Sequence, residues 1–414
     1  MARGPIFFAP DSCNRSLVSQ ADKILFFGDG QPRNLPPYAK LTKTLTCQDT
    51  EITPGQVNAH THIYSGLAPL GMPSPDHAPE NFVQILEHIW WRLDRALDET
   101  TLRAAARYYV AEALLAGTTT LIDHHESPNM IEGSLDIIAD ACEELGIRAI
   151  LCYGATDRNF GSDEADRGLR ECRRFFSSNK RSLVRGIVGL HASFTVSDET
   201  IRKAGNLCRE LDTVMHIHLA EDIADVEDAR KRGHAGPLER LLSLGALPPG
   251  SILAHGVHLD QKQVELAQKL GCWIVQNPRS NDNNKVGYPQ ALANSDRIAL
   301  GTDGYPADMG AEQDSLRQLG HKNGEKPENL SRRINSAWSL LAEQFGGNFA
   351  PLEKGTTADV GALRRSGCAI KAHHLLVAGR LVVENGQLLT ADVNSIREQA
   401  NEQAKRLWQR MRTL

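Results

Sequence analysis

His60 and His62 stand in the run Pro54-Gly55-Gln56-Val57-Asn58-Ala59-His60-Thr61-His62. The short apolar stretch after Pro-Gly reads as a buried strand. Residues two apart on a strand project to the same face, so both imidazoles enter one space. Two adjacent imidazoles are the beginning of a metal site. Alone, the pair proves little in a chain with 15 histidines. Its weight depends on further ligands at places where a fold would bring them.

Such places recur. His216-Ile217-His218-Leu219-Ala220-Glu221, Ala254-His255-Gly256-Val257-His258, Leu300-Gly301-Thr302-Asp303-Gly304 and Gly189-Leu190-His191 each close a strand-like run. Three histidines and an aspartate form an N3O set that suits zinc or ferrous iron and leaves a position for water. A metal so held supplies hydroxide near neutral pH. Competing readings stand beside this one. Asp303 before a Gly can serve only as a helix cap, and Asp222 competes with Glu221. His216 shares the strand parity of His218 but lies deeper. His124 and His125 are supporting or structural candidates, whereas His258, His373 and His374 read as structural.

The elements that must position these residues alternate along the chain. Strand-like runs at 56–60, 118–123, 148–153, 184–191, 214–219, 252–255, 272–276 and 297–301 are separated by amphipathic segments. Eight strands each followed by a helix describe a (β/α)8 TIM-like barrel, whose chemistry lies at the carboxyl ends of its strands. The first connection, from residue 62 to 118, is too long for one helix and is expected to cover the substrate. Within it Phe82, Ile85, Leu86, Ile89 and Leu93 repeat at helical spacing after the cap Asn81. Residues 23–27 and 41–45 read as strands. So does the stretch 375–389, folded as a hairpin about Asn385-Gly386. Ile396, Ala400, Ala404 and Leu407 line one face of a last helix. The expected division is therefore 1–54 and 351–414 for a small β-sandwich built from both chain ends, the terminal helix included, and 55–350 for the barrel.

A chain of 414 residues with 41% hydrophobic and 23% charged residues has ample material for such a core. A net charge of −5 offers no footprint for nucleic acid or anionic lipid. No signal peptide or spanning apolar run is evident, and the 8 cysteines form no Cys-x-x-Cys pair. These features fit reduced thiols in a cytoplasmic protein.

The pieces PGQVNAHTH, GTTTLID, GLHASFTVS, HIHLAED, LAHGVHL, QNPRSN and LGTDG, in this order, resemble the amidohydrolase superfamily. Within it they are most similar to the cytosine deaminase-like branch of guanine and adenosine-analogue deaminases and chloro-s-triazine hydrolases. ILEHIWWRLDRAL, IDHHESPNMIEGSLDIIA, HLAEDIADVEDA and NDNNKVGY look most like the SsnA-type aminohydrolases. The resemblance implies His60, His62, His218 and Asp303 as metal ligands and Glu221 as proton shuttle. It also implies His255 as the group that steadies the attacked centre, and His191 as a substrate contact. The fourth strand carries no lysine that could be carbamylated to bridge two metals, which favours one divalent ion, zinc before iron.

The expected activity is hydrolytic displacement of ammonia from a nitrogen heterocycle, with Asp303 and Glu221 handling protons. Two alternatives are displacement of an amide, imine or chloride at a related centre, and, more remotely, a non-catalytic scaffold. Asn281, Arg92 and His191 are candidate substrate contacts. Arg92 has a second reading as a surface ion-pair partner, and Trp90 and Trp91 read more readily as core packing. The expected partner is a small-molecule substrate, with no nucleic acid or membrane, in a homodimer.

Overall fold

The computed structural model describes residues 4–30, 32, 42–349, 351–367 and 369–414. Eight parallel strands follow one another around a barrel. They are Gln56–Thr61, Thr118–His125, Arg148–Ala155, Val188–Ala192, Met215–Leu219, Ile252–His255, Trp273–Gln276 and Ile298–Leu300. The first and eighth meet at a parallel bridge between Thr61 and Asp303. Across this seam the Thr302 and Asp303 amides donate to the His60 carbonyl at 2.9 and 3.0 Å. Asn58 and Thr302 add a reciprocal pair of side-chain bonds at 2.7 and 3.0 Å. The fourth strand, expected as one run, is broken. Val184–Gly186 pairs with the third strand, and Val188–Ala192 resumes one residue later. The helix Ala337–Phe345 joins Leu340, Leu341 and Phe345 to a buried cluster with Val57, Ile150 and Val275.

The small domain has two sheets. Ile6–Phe8, Arg15–Gln20, Lys23–Asp29 and Lys43–Leu45 form one; Glu51–Pro54 joins Val360–Ser366, Ala369–Val377, Arg380–Glu384 and Gln387–Leu388 in the other. Of the expected strand at 41–45, residue 41 lies outside the described residues. Phe8, Leu17, Ile24, Leu45, Ile52, Val360 and Leu376 share one core between the sheets, so both chain ends build the sandwich. The expected hairpin is present. Val383 pairs with Leu388 and Glu384 with Gln387, while Asn385 and Gly386 take φ of 52° and 76°, as a type I′ turn demands. The terminal helix Val393–Met411 buries Ile396, Ala400, Ala404 and Leu407. It packs against the helices Trp91–Ala96 and Glu99–Leu115 of the first connection, and the Trp408 indole donates to the Leu70 carbonyl at 3.0 Å. No helix among the described residues is long and apolar enough to cross a membrane.

The first connection covers the carboxyl ends of the barrel strands. Asn81 accepts the Gln84 amide at 3.0 Å and caps Phe82–Ile85. The helix then passes through a π-helical turn, Leu86–Trp90, before resuming as Trp91–Ala96. A π turn inserts a residue into the α repeat and rotates the side chains beyond it, a distortion common at functional sites. Phe82, Leu86, Trp90 and Trp91 line the cavity. The tryptophans thus form its roof, and Trp90 also packs against the main hydrophobic core as its neighbours' spacing suggests.

Candidate metal centre and active site

The strand exits bring the histidines together. His60, His218, His255 and Asp303 each offer a ligand atom within 4.8 Å of the others, and all four are buried. His62 Nε2 lies 3.1 Å from His218 Nε2 and 3.0 Å from Asp303 Oδ1, and His60 Nε2 lies 3.3 Å from the same oxygen.

Hydrogen bonds decide which nitrogen of each ring faces inward. His62 Nδ1 donates to the His124 carbonyl and His218 Nδ1 to the His191 carbonyl, both at 2.6 Å. A carbonyl only accepts, so each neutral ring turns a bare Nε2 to the centre. His60 is fixed by a longer relay. The Cys152 thiol donates to the Asp123 carbonyl at 3.5 Å, leaving its sulfur to accept from His216 Nδ1 at 3.7 Å. His216 Nε2 then accepts from His60 Nδ1 at 2.9 Å, and His60 Nε2 is left bare and without a hydrogen-bond partner among the described residues. His216, open at the sequence level as a ligand, therefore orients His60. Such outer partners fix tautomer and ring angle in metal sites.

Charge follows the same logic. Burial pushes His60 down to about 3 and holds His218 well below the ordinary imidazole range, so both lone pairs are available. Burial opposes the ionisation of Asp303, but the imidazoles of His60 and His62 beside it outweigh burial and keep the carboxyl well below its usual range. At His62 burial is likewise outweighed by Asp303, and its pKa rises to about 9, so without a cation Nε2 holds a proton against Asp303 that a bound metal would displace. The cluster attracts positive charge. Bare buried imidazole nitrogens around an ionised carboxylate fit a divalent cation, with His60, His62, His218 and Asp303 to hold it.

The groups around this set come from the other exits. Ser280 Oγ donates to Asp303 Oδ2 at 2.5 Å. Glu221 Oε2 stands 3.4 Å from His255 Nε2, and Asn284 Nδ2 reaches Glu221 Oε1 at 3.5 Å. Burial, then the Asp303 charge, raises the Glu221 carboxyl well above its ordinary value, which favours the protonated form a general acid needs. Asn281 Nδ2 donates to His255 Nδ1 at 2.9 Å, leaving His255 Nε2 to carry the hydrogen inward. Ala220, His255 and Asp303 have φ of 50°, 77° and 53°. Side-chain-bearing residues seldom adopt this left-handed conformation, and such strain collects at functional sites.

His191, Glu221, His62, His218 and Asp303 line the cavity. Asn281 instead supports His255 from behind. Arg92 donates through Nη2 to the Met411 carbonyl at 2.9 Å, which fastens the roof helix to the terminal helix and turns the guanidinium away from the cavity lining. His125 is bonded to Ser127 Oγ at 2.8 Å. Sequence reasoning passed over Ser280, Asn284, the Cys152–His216 relay and Glu126. Glu126 carried the same signal as Glu221, an acid just past a strand exit. Ser280 and Asn284 are one helical turn apart in the segment after the seventh strand.

The comparisons agree with this geometry. Residues 52–344 match the model of the amidohydrolase family. The 5'-deoxyadenosine deaminase of Methanopyrus kandleri is 28% identical, with 86% of each chain covered. The 5-methylthioadenosine/S-adenosylhomocysteine deaminase of Thermoanaerobacter pseudethanolicus is 25% identical over 96% of this chain and 95% of its own. Among solved structures, a zinc-bound adenosine deaminase from Xanthomonas campestris superposes with a TM-score of 0.81 at 19% identity, covering 100% of this chain and 99% of that one. The zinc complex of atrazine chlorohydrolase TrzN from Arthrobacter aurescens gives 0.77 at 20%, covering 96% and 100%. Those two share the fold. The protein is a metal-dependent hydrolase acting on carbon–nitrogen bonds, and the chain belongs to the amidohydrolase family.

Proposed function

We propose that the protein is a zinc-dependent aminohydrolase that releases ammonia from the amino-bearing carbon of a nitrogen heterocycle. The relatives' names make aminopurines the first class to test. The observation that carries the reading is the Glu221 carboxyl, its pKa pushed up by burial, beside three imidazoles whose Nε2 atoms converge on the Asp303 carboxylate. When bound, a divalent cation on His60, His62, His218 and Asp303 supplies an acidified water and polarises the reacting centre.

The chain's own groups do the rest. Asp303, held through Oδ2 by Ser280, accepts a proton from the attacking water. Glu221 delivers its proton to the ring nitrogen beside the carbon under attack. His255 donates from Nε2 to the oxygen where charge develops. The aromatic roof excludes water and stacks on a planar ring. Zinc in particular is supported by the zinc bound in the two solved structures that share this fold.

The test is Glu221→Gln on zinc-loaded protein with an ammonia-release panel of aminoheterocycles. Metal content should persist while turnover falls by roughly 10²- to 10⁴-fold, the usual yield of a positioned general acid. Near-normal turnover by the variant would remove Glu221 from the reaction.

A further inference from the structure

The cavity that Glu221 lines holds a second carboxylate for which deamination has so far no use. Glu126, one residue beyond the second barrel strand, is 3% exposed and lines the cavity with Tyr64, Trp91 and His191. The Tyr64 hydroxyl donates to Oε2 at 3.0 Å. Oε1 has no hydrogen-bond partner among the described residues and stands 2.7 Å from His124 Nδ1. His124 Nε2 donates to the Leu190 carbonyl at 2.9 Å, so a neutral His124 turns a second acceptor toward Oε1. Even where a proton bridges the two, a carboxylate oxygen keeps a further lone pair.

The surroundings make room for this carboxylate. A Cβ at residue 154 would fall 2.4 Å from His124 Cε1 and 2.7 Å from Glu126 Oε1, so only glycine admits the pair. At His191, the Thr195 hydroxyl donates to the Ala192 carbonyl at 3.0 Å and so accepts from His191 Nδ1 at 2.8 Å. That leaves His191 Nε2 bare. Arg158 gives Nη2 to Asp94 Oδ2 at 2.7 Å and lies over the Trp91 face, and it is not among the residues that line the cavity. The wall presents acceptors.

Acceptors need a cation or a donor. Glu126, His191 and His218 offer ligand atoms within 4.8 Å of one another, so a second metal is one occupant to weigh. His218, however, has committed Nδ1 to the His191 carbonyl and keeps one lone pair, which belongs to the N3O set. One lone pair binds one ion. We propose that Glu126 is instead a specificity residue, accepting a hydrogen bond from a ring N–H that flanks the carbon under attack. The substrate class is then an aminoheterocycle with an amide-like N–H beside its amino-bearing carbon, as in a 2-amino-4-oxopyrimidine ring. A ring with only bare nitrogens there is disfavoured. This rests on the deaminase reading and narrows it: Glu221 serves one ring nitrogen, Glu126 the other.

The test measures binding and turnover separately on zinc-loaded, full-length protein. Quenching of the roof tryptophans gives affinities for guanine, 1-methylguanine and adenine. Guanine should bind roughly 10- to 100-fold more tightly than the other two, the usual worth of a hydrogen bond to a charged group. Glu126→Gln should close most of that gap, and Tyr64→Phe part of it, with one metal per chain throughout. Equal binding of guanine and 1-methylguanine, a gap unchanged in Glu126→Gln, or no binding of any of the three overturns the proposal. So do two metals per chain with one lost in the variant, which would assign the wall to a cation. If adenine releases ammonia and guanine does not, the deaminase reading stands and the role of Glu126 falls. If no compound of the wider panel releases ammonia, the deaminase reading fails and the affinities still decide Glu126.

Discussion

Replacing Asn58 by Ala should loosen the barrel at the seam that carries the metal site. Asn58 is fully buried. Its Nδ2 donates to Thr302 Oγ1 at 2.7 Å, and its Oδ1 accepts the Thr302 amide at 3.0 Å. The truncation removes both bonds, at about 0.5–1.5 kcal/mol each, and leaves an amide-sized hole among packed strands. The Thr302 amide keeps its bond to the His60 carbonyl, so it is not orphaned and no full desolvation penalty is added. The sum is a loss of about 2–4 kcal/mol. The assay is urea unfolding of chelated and zinc-loaded protein. In the chelated form the midpoint should fall with little change of slope. Zinc at 100-fold its Kd should return about 2.7 kcal/mol to the wild type, but less to the variant, because His60 and Asp303 flank the loosened pair. A loss under about 0.5 kcal/mol in the chelated protein, or equal stabilisation of both proteins by zinc, would refute the idea that this pair holds the seam.

Gly304→Ala places a Cβ 2.9 Å from Trp90 Cη2; the roof must shift, and KM should rise about tenfold with metal content unchanged. An unchanged KM would detach Trp90 from substrate binding. Asp225 is buried, and desolvation pushes its pKa up from 3.8 to about 7. A raised carboxyl pKa means the folded state binds more protons, so the contribution of Asp225 to stability declines as pH rises from about 4 to about 7 and is level above that. Asp225→Asn should therefore gain on the wild type across that window, read as unfolding midpoints at a series of pH values; a pH-independent difference refutes it.

Much of the site was readable because strand-exit chemistry is local. His60 lies in the strand Gln56–Thr61 and His62 directly follows it with the same parity, and barrel geometry puts 218, 255 and 303 at the same end. The features that escaped depend on rotation and on partners far away in sequence. Trp90 and Trp91 follow an α pattern, but the π turn at Leu86–Trp90 turns them to the cavity, and no periodicity reports a one-residue slip. Arg92 offered both a substrate clamp and an ion pair; its bond to Met411 depends on where the terminal helix lands. His216 shares the parity of His218, and only the neighbouring Cys152 decides that it orients rather than ligates. The break in the fourth strand falls at Ile187, between Gly186 and Val188, where no polar residue marks it.

The seam has a consequence for biosynthesis. Asn58 and Thr302 are 244 positions apart in the chain, and the proposed ligands beside them, His60 and Asp303, are almost as far apart. A nascent chain can form its early strands long before it owns a complete coordination set. Metal loading must therefore wait until the eighth strand has emerged and docked, and domains of this size assemble slowly through such distant pairings. A chain cut short before Asp303 would carry three of the four ligands and an open barrel edge, exposed to aggregation. Zinc supply during expression would then govern the yield of active protein at the last folding step, not the first.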